Sequence, residues 1–294
     1  MEAARRLTTA DGTRLAYWLW QAGPERRRLL VLIHGAASNH TRWSEFLEQT
    51  ELKESWDVLR PDMRGNGESL VRGRLDTEIW SRDLAEILAV EGYPSGLVIG
   101  HSLGAQIAIH FAARYPRRTD GLVLIDPVFR RALIGRKRRI SRTRPLFLLA
   151  IWMAHALNSL GIYRRHIPNR DLKDLDRETR KELESARSKE EIAKKYSALG
   201  PILRYMPTAN YLQQLVETVG PLPDLAAIRC PVLVLLSAGI TFADAEINKQ
   251  EIERFPRVEV APIEANHWPL TEQPAQVRRA IEEWVEANYP TGRL

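Results

Sequence analysis

A serine stands at the centre of Gly100-His101-Ser102-Leu103-Gly104, between the apolar run Gly96-Leu97-Val98-Ile99 and the helix-like stretch Ala105-Gln106-Ile107-Ala108-Ile109. That order predicts a strand, a sharp turn and a helix, with a hydroxyl at the apex. A nucleophile on so tight a turn brings neighbouring backbone too close for side chains, and glycine stands two places either side of Ser102. A serine hydroxyl is a poor nucleophile at neutral pH, so such an elbow predicts a histidine base and a carboxylate that orients it, supplied from elsewhere in the chain. The segment Val258 to Trp268 offers His267 at the end of a strand-like run. The chemistry this points to is attack of Ser102 on an acyl carbon.

Three further segments join these in one order along the chain: His34-Gly35-Ala36-Ala37 after an apolar run, Arg60 to Ser69 (RPDMRGNGES), and His267 followed by Glu272-Gln273-Pro274. With them the chain, from residue 11 to about residue 288 outside its middle portion, resembles the α/β-hydrolases of the esterase and lipase type. The resemblance implies Ser102 as nucleophile and His267 as base. It also implies an oxyanion hole made from the backbone NH groups of Ala36 and Leu103, since two amides aimed at one point are what that site requires. For the acid, the usual position follows the penultimate strand, Pro231 to Leu236. There the chain reads Ser237-Ala238-Gly239-Ile240-Thr241-Phe242, with no carboxylate before Asp244. Some relatives carry the acid one strand earlier, where Gly121 to Ile125 ends in Asp126. Asp126 is therefore the first choice and Asp244 the alternative, although an aspartate at 244 also suits the N-cap of a helix beginning near Ala245. A serine at the elbow argues against the dehalogenase and epoxide-hydrolase branches, which use aspartate there. The same triad also serves carbon-carbon bond hydrolases and thioesterases, and the fold serves as a non-catalytic small-molecule receptor.

The remaining histidines have plainer readings. His34 in an H-G turn and His101 beside the nucleophile are expected to order loops. His40, His110, His155 and His166 show no metal-ligand spacing, so neither a metal nor another cofactor is expected.

The elements that must position these groups follow from periodicity. Leu7-Thr8-Thr9 and Leu15 to Trp20 flank Asp11-Gly12 and predict a hairpin. Short apolar runs at Leu29 to Ile33, Val58 to Arg60, Gly96 to Ile99, Gly121 to Ile125, Pro231 to Leu236 and from Val258 predict strands. They alternate with helical stretches at Trp43 to Leu52, Glu78 to Val90 and Ala275 to Ala287. The expected fold is α/β: a mostly parallel eight-stranded sheet with helices on both faces and an inserted helical cap. Residues 1–127 and 224–294 are expected to form the core, and 128–223 the cap after the sixth strand.

The middle portion begins with a basic cluster: Arg130, Arg131, Arg136, Lys137, Arg138, Arg139, Arg142 and Arg144. Leu146 to Leu157 then forms a run apolar on almost all sides, which must be covered by protein or lipid. A lid helix over an acyl pocket is the first reading, and a membrane-surface element the second. Leu146 to Tyr163 is only about the minimum length for a membrane span and contains His155 and Asn158. From Asp171 to Lys195 charges of both signs alternate, as on exposed helices. The formal net charge of the chain is +6, which suits an anionic membrane surface as a partner, whereas no nucleic-acid recognition module is visible. The substrate expected is a small ester with an apolar acyl group. One cysteine, Cys230, and no apolar leader in Met1 to Thr9 make the cytoplasm the expected compartment.

Overall fold

The computed structural model describes residues 1–134, 143–185, 199–239, 243–266 and 268–290. Its strands are β1 (Glu2–Thr8), β2 (Arg14–Trp20), β3 (Arg28–Ile33), β4 (Trp56–Pro61), β5 (Gly96–His101), β6 (Thr119–Ile125), β7 (Val232–Ser237) and β8 (Val258–Ile263). Its α-helices are α1 (Ser44–Gln49), α2 (Thr77–Glu91), α3 (Leu103–Arg114), α4 (Arg144–Ser159), α5 (Leu172–Ser185), α6 (Leu199–Arg204), α7 (Thr208–Thr218), α8 (Ala245–Ile252), α9 (Pro269–Glu272) and α10 (Pro274–Asn288). The strands form one sheet in the order β1-β2-β4-β3-β5-β6-β7-β8. β1 and β2 are antiparallel, β2 runs antiparallel to β4, and every pair from β4 to β8 is parallel.

The apolar runs form the middle of this sheet because they are covered on both sides. Successive side chains on a strand point to opposite faces. Accordingly Val31, Ile33, Val98, Leu122, Leu124, Val232 and Val234 join one core with residues of α2 and α3. Their neighbours Leu30, Leu32, Leu97, Ile99, Val123, Ile125, Leu233 and Leu235 join a second core with Phe46 of α1 and Val277, Ile281 and Trp284 of α10. The hairpin turns at Gly12, φ 82°. The N-terminus of α2 is capped by Asp76, which accepts from the Ile79 NH at 2.8 Å, and its C-terminus ends at Gly92 in the left-handed region.

Between β6 and β7 the described chain holds helices α4 to α7 and no strand. α7 reaches the core with buried amide side chains. Asn210 donates to the carbonyls of Gly65 (3.0 Å) and Val71 (2.7 Å), and Gln214 donates to Asn66 Oδ1 (3.0 Å). The expectation of exposed helices from Asp171 onward needs correction for α5. It is amphipathic and buries Leu172, Asp176 and Thr179, so that Asp176 pairs with Arg42 and accepts from Thr271 Oγ1 at 2.9 Å.

The run Leu146 to Leu157 forms α4 as expected, but it is not covered. Ile151 is its one buried residue, while Leu146 and Trp152 are each 66% exposed and Leu149 is 54% exposed. Among the described residues no helix is long and apolar enough to cross a membrane. The basic residues Arg136, Lys137, Arg138, Arg139 and Arg142 lie outside the described residues.

Candidate active site

The parallel ladder runs on past the strand ends and brings two of the expected site residues, Ser102 and Asp126, side by side. The Ser102 NH donates to Ile125 O (2.9 Å), the Asp126 NH to Leu235 O (2.9 Å), the Ala238 NH to Ile263 O (2.8 Å) and the Gly239 NH to Ala265 O (2.9 Å). The loops after β5, β6, β7 and β8 are thereby held side by side at the carboxyl edge of the sheet, where open α/β sheets bind ligands.

Ser102 occupies φ 53°, ψ −113°, between β5 and the first residue of α3. A non-glycine residue in such a region is strained by about 1–3 kcal/mol, and strain of this kind is kept where the surroundings over-determine it. Its neighbours supply that restraint. A Cβ on Gly100 would collide with the Gly104 carbonyl, and one on Gly104 with the carbonyls of Ile33 and His34. The described chain contains three non-glycine residues of positive φ: Ala37 (51°), Ser102 (53°) and Asp126 (48°). They follow the ends of β3, β5 and β6, which are adjacent strands.

Asp126 is 7% exposed. Its carboxylate accepts two hydrogen bonds from one residue, the Ser237 NH at 2.8 Å and the Ser237 hydroxyl at 2.6 Å. Ser237 ends β7, the strand after which the acid usually stands, and here it grips the carboxylate offered by β6. Asp244 does something else. Its side chain accepts from the Ile247 NH at 3.0 Å and caps α8.

His267 lies outside the described residues, but its neighbours are well held. One carboxylate, that of Glu272 in α9, accepts from the Asn266 NH, the Asn266 side-chain amide and the Trp268 NH, each at 3.0 Å. Trp268 in turn lines a cavity of about 500 Å³ together with Ala36 and Ala37 from the loop after β3. The segment after β8 and the loop after β3 thereby border one cavity.

Gly35 packs close to Ser102, with an added Cβ only 3.6 Å from that of Ser102. Among the described residues no acceptor takes the NH of Ala36 or of Leu103, and the Leu103 amide opens the first turn of α3, where donors have no partner within the helix. The next amide, Ala37 NH, is bound by Gln214 Oε1 at 2.8 Å, so α7 fixes this loop from outside the sheet. His34 is spent on the same loop. Its Nδ1 lies 2.8 Å from Gly35 O and its Nε2 accepts from the Met63 NH at 3.1 Å. That pattern puts the proton on Nδ1, and burial lowers the pKa of the ring. His34 is neutral and structural. His40 is likewise occupied, hydrogen-bonded to Asp62 at 2.8 Å and stacked on Trp18. Burial pushes the Asp62 carboxyl up, but hydrogen bonds from His40 and the Glu68 NH outweigh it and hold it below its ordinary value. Burial raises the Cys230 thiol to about 11, which leaves it protonated and unreactive at neutral pH.

The model of the Alpha/beta hydrolase family matches residues 30–280. The chain belongs to that family. Epoxide hydrolase 3 of Xenopus tropicalis is 25% identical over 280 residues, covering 91% of this chain and 74% of that protein. Lipase 1 of Psychrobacter immobilis is 30% identical over 125 residues, 42% of this chain and 38% of the lipase. An uncharacterized protein of Mycobacterium tuberculosis, also 30% identical, is matched over 40% of this chain and only 33% of its own length. Among solved structures, a hydrolase from Pseudomonas aeruginosa superimposes with TM-score 0.69 at 21% identity, covering 98% of each chain. A thermophilic esterase from Thermogutta terrifontis gives TM-score 0.66 at 22% identity, covering 98% of this chain and 99% of the esterase. The structural likenesses show the α/β-hydrolase fold, and the family match over residues 30–280 shows the family.

Within this family frame, three site-building residues had not been singled out from sequence. Ser237 stands where a carboxylate was sought, and its meaning emerges only when β6 and β7 are seen paired. Glu272 lies in the run Glu272-Gln273-Pro274, and its spacing of four from Trp268 and six from Asn266 is the signal the sequence carries. Gln214 gave none. The cavity lining is mixed: Leu172, Leu175 and Met206 are apolar, whereas Arg42, Arg170 and Asp176 are charged. No residue of α4 lines this cavity, so α4 is not a lid over it. Among the described residues no group of three His, Cys, Asp or Glu side chains is placed to hold a metal.

The Glu272 contacts carry an expected result. Glu272→Gln keeps the size of the side chain but replaces one of its two acceptor oxygens with an NH2, so either the two Asn266 donors or the Trp268 NH lose their acceptor. A displaced catalytic group costs about a hundredfold in rate for each ångström. If position 267 serves catalysis, hydrolase activity is expected to fall by about that factor through kcat, with little change in KM, in steady-state assays.

Proposed function

We propose that this chain hydrolyses carboxylic esters with Ser102 as nucleophile, His267 as base and Asp126 as the acid that orients it. The observation that carries the reading is the backbone: the three described non-glycine residues with positive φ are Ala37, Ser102 and Asp126, at the ends of three adjacent strands. Strain of this kind is kept at sites that use it.

The imidazole of His267 takes the Ser102 proton as Oγ bonds to the carbonyl carbon, and the oxyanion formed receives the NH groups of Ala36 and Leu103. Collapse expels the alcohol, which leaves with the proton returned by the imidazolium. Water then attacks the acyl-enzyme, giving its proton to His267, and the acid departs as Ser102 recovers its own. Asp126, held by Ser237, keeps the imidazole in the tautomer that can accept. A hydroxyl at the elbow cannot act as the carboxylate nucleophile of the epoxide-hydrolase branch, which favours the esterase and lipase relatives as guides.

The cavity beside Ala36 supports a medium acyl chain against Leu172, Leu175 and Met206, with a polar portion of the substrate toward Arg42 and Arg170. The cavity volume is within the range of about 300–1,000 Å³ usual for small-molecule sites. The helical segment 128–223, through α5, α6 and α7, acts as the cap that shapes it. A panel of p-nitrophenyl esters from acetate to palmitate, with a matched thioester series, tests this. The expected result is a maximum at intermediate chain length, with esters turned over faster than thioesters. Faster thioester turnover would assign a thioesterase, and no turnover of any member by folded protein would leave a binding role.

A further inference from the structure

The stretch from Leu146 to Tyr163 carries most of the large apolar side chains that the described chain leaves exposed. On α4, Leu146, Leu149, Trp152, Met153 and Leu157 fall on one side at helical spacing, and Leu160 extends the stripe beyond the helix; these are between 45% and 74% exposed. The opposite side, carrying Ile151, packs against α7. A half-cylinder of apolar surface this continuous exceeds what a monomeric protein exposes by accident and marks an interaction surface.

The charge around it identifies the partner. Between Asp126 and Asp171 there is no carboxylate at all, yet this stretch holds eleven Lys and Arg residues against a net charge of +6 for the whole chain. The rest of the chain is therefore net negative. Arg144 begins α4, Arg164 and Arg165 follow its end, and the eight residues joining Ile134 to Thr143 contain five cations. Arg164 donates to Met206 O at 3.1 Å, and Arg72 stacks over Tyr163 at 4.4 Å, which fixes the end of the apolar stripe against the body of the protein.

We infer that α4 is an interfacial helix that lies on an anionic lipid surface. Its apolar side enters the boundary between headgroups and acyl chains, and Arg144, Arg164 and Arg165 at its two ends pair with lipid phosphates. The helix has only 16 residues, which is too short to span a bilayer of about 20 residues' thickness, so it lies on the surface. A second copy of this chain is a poorer occupant. A two-fold contact through α4 would bring two acid-free, strongly cationic segments to one interface, whereas an anionic membrane neutralises them. The inference stands on exposure and charge and does not rest on the catalytic assignment.

The test is co-sedimentation of the full chain with phosphatidylcholine vesicles, with and without phosphatidylglycerol, at low and high salt. The comparison variant is Leu149→Asp/Trp152→Asp/Met153→Asp, whose sites are exposed, with circular dichroism to verify folding. The expected result is binding to the phosphatidylglycerol vesicles that weakens about tenfold or more with salt, without the anionic lipid, and in the triple variant. Trp152 emission should shift to the blue on binding and the shift should be lost in Trp152→Phe. Absence of binding, or binding undiminished in the triple variant, would overturn the inference. So would a triple variant that changes a dimer into a monomer while vesicle binding is absent in both proteins.

Discussion

Ser102→Ala is expected to lower the turnover of p-nitrophenyl butyrate by about 10⁵–10⁶-fold, the scale on which triad serines act. The expectation follows from where the hydroxyl stands. β5 ends one residue before Ser102, α3 begins one residue after it, and glycines at 100 and 104 let the backbones of β3 and α3 close around the turn. No backbone contact is lost in the variant, because the Ser102 NH still donates to Ile125 O. Thermal stability should therefore change little while activity disappears. On the proposed mechanism the residual rate would report what the Ala36 and Leu103 amides achieve without a nucleophile. Full retention of activity in a folded Ser102→Ala protein would remove the elbow from the chemistry.

Asp126→Asn is expected to lower kcat by about 10⁴-fold, because an amide can hold the imidazole in the wrong tautomer. The buried carboxylate receives both the NH and the hydroxyl of Ser237, an arrangement that fixes its two oxygens and leaves little freedom in the plane of the group. Ser237→Ala should show the same effect in milder form, since one of the two donors remains. Asp244 provides the comparison. Asp244→Ala removes the α8 cap and should cost about 1 kcal/mol of stability with activity within a few-fold of the parent. Measuring kcat and thermal midpoints of the two variants together separates the roles. A larger activity loss at position 244 than at position 126 would transfer the acid to α8.

Much of this architecture is written locally. Leu29 to Ile33 and Gly121 to Ile125 are unbroken apolar runs, and such runs are legible as strands covered on both faces. The elbow is legible because steric need at positions 100 and 104 is met within five residues. His34 could be read as structural because an H-G turn after a strand needs its ring for the loop, as the contacts with Gly35 and Met63 bear out. Position 244 also carried its cap reading in its type and place. What stayed hidden is held by partners far apart in the chain. Ser237 meets Asp126 across 111 residues, and Gln214 meets Ala37 across 177. No local pattern encodes such pairings. α4 failed for a different reason: a run of leucines states that a surface needs covering and does not name what covers it, so its exposure in the folded chain could not be read from hydrophobicity alone.

Whether the hydroxyl at 102 is activated by an imidazole at 267 is decided by reaction with an active-site-directed fluorophosphonate followed by peptide mass mapping. The expected result is one phosphonyl adduct per chain, located on Ser102, absent in Ser102→Ala and formed orders of magnitude more slowly in His267→Ala. A folded protein that takes no adduct, takes it at another residue, or is labelled as fast without His267 would contradict it.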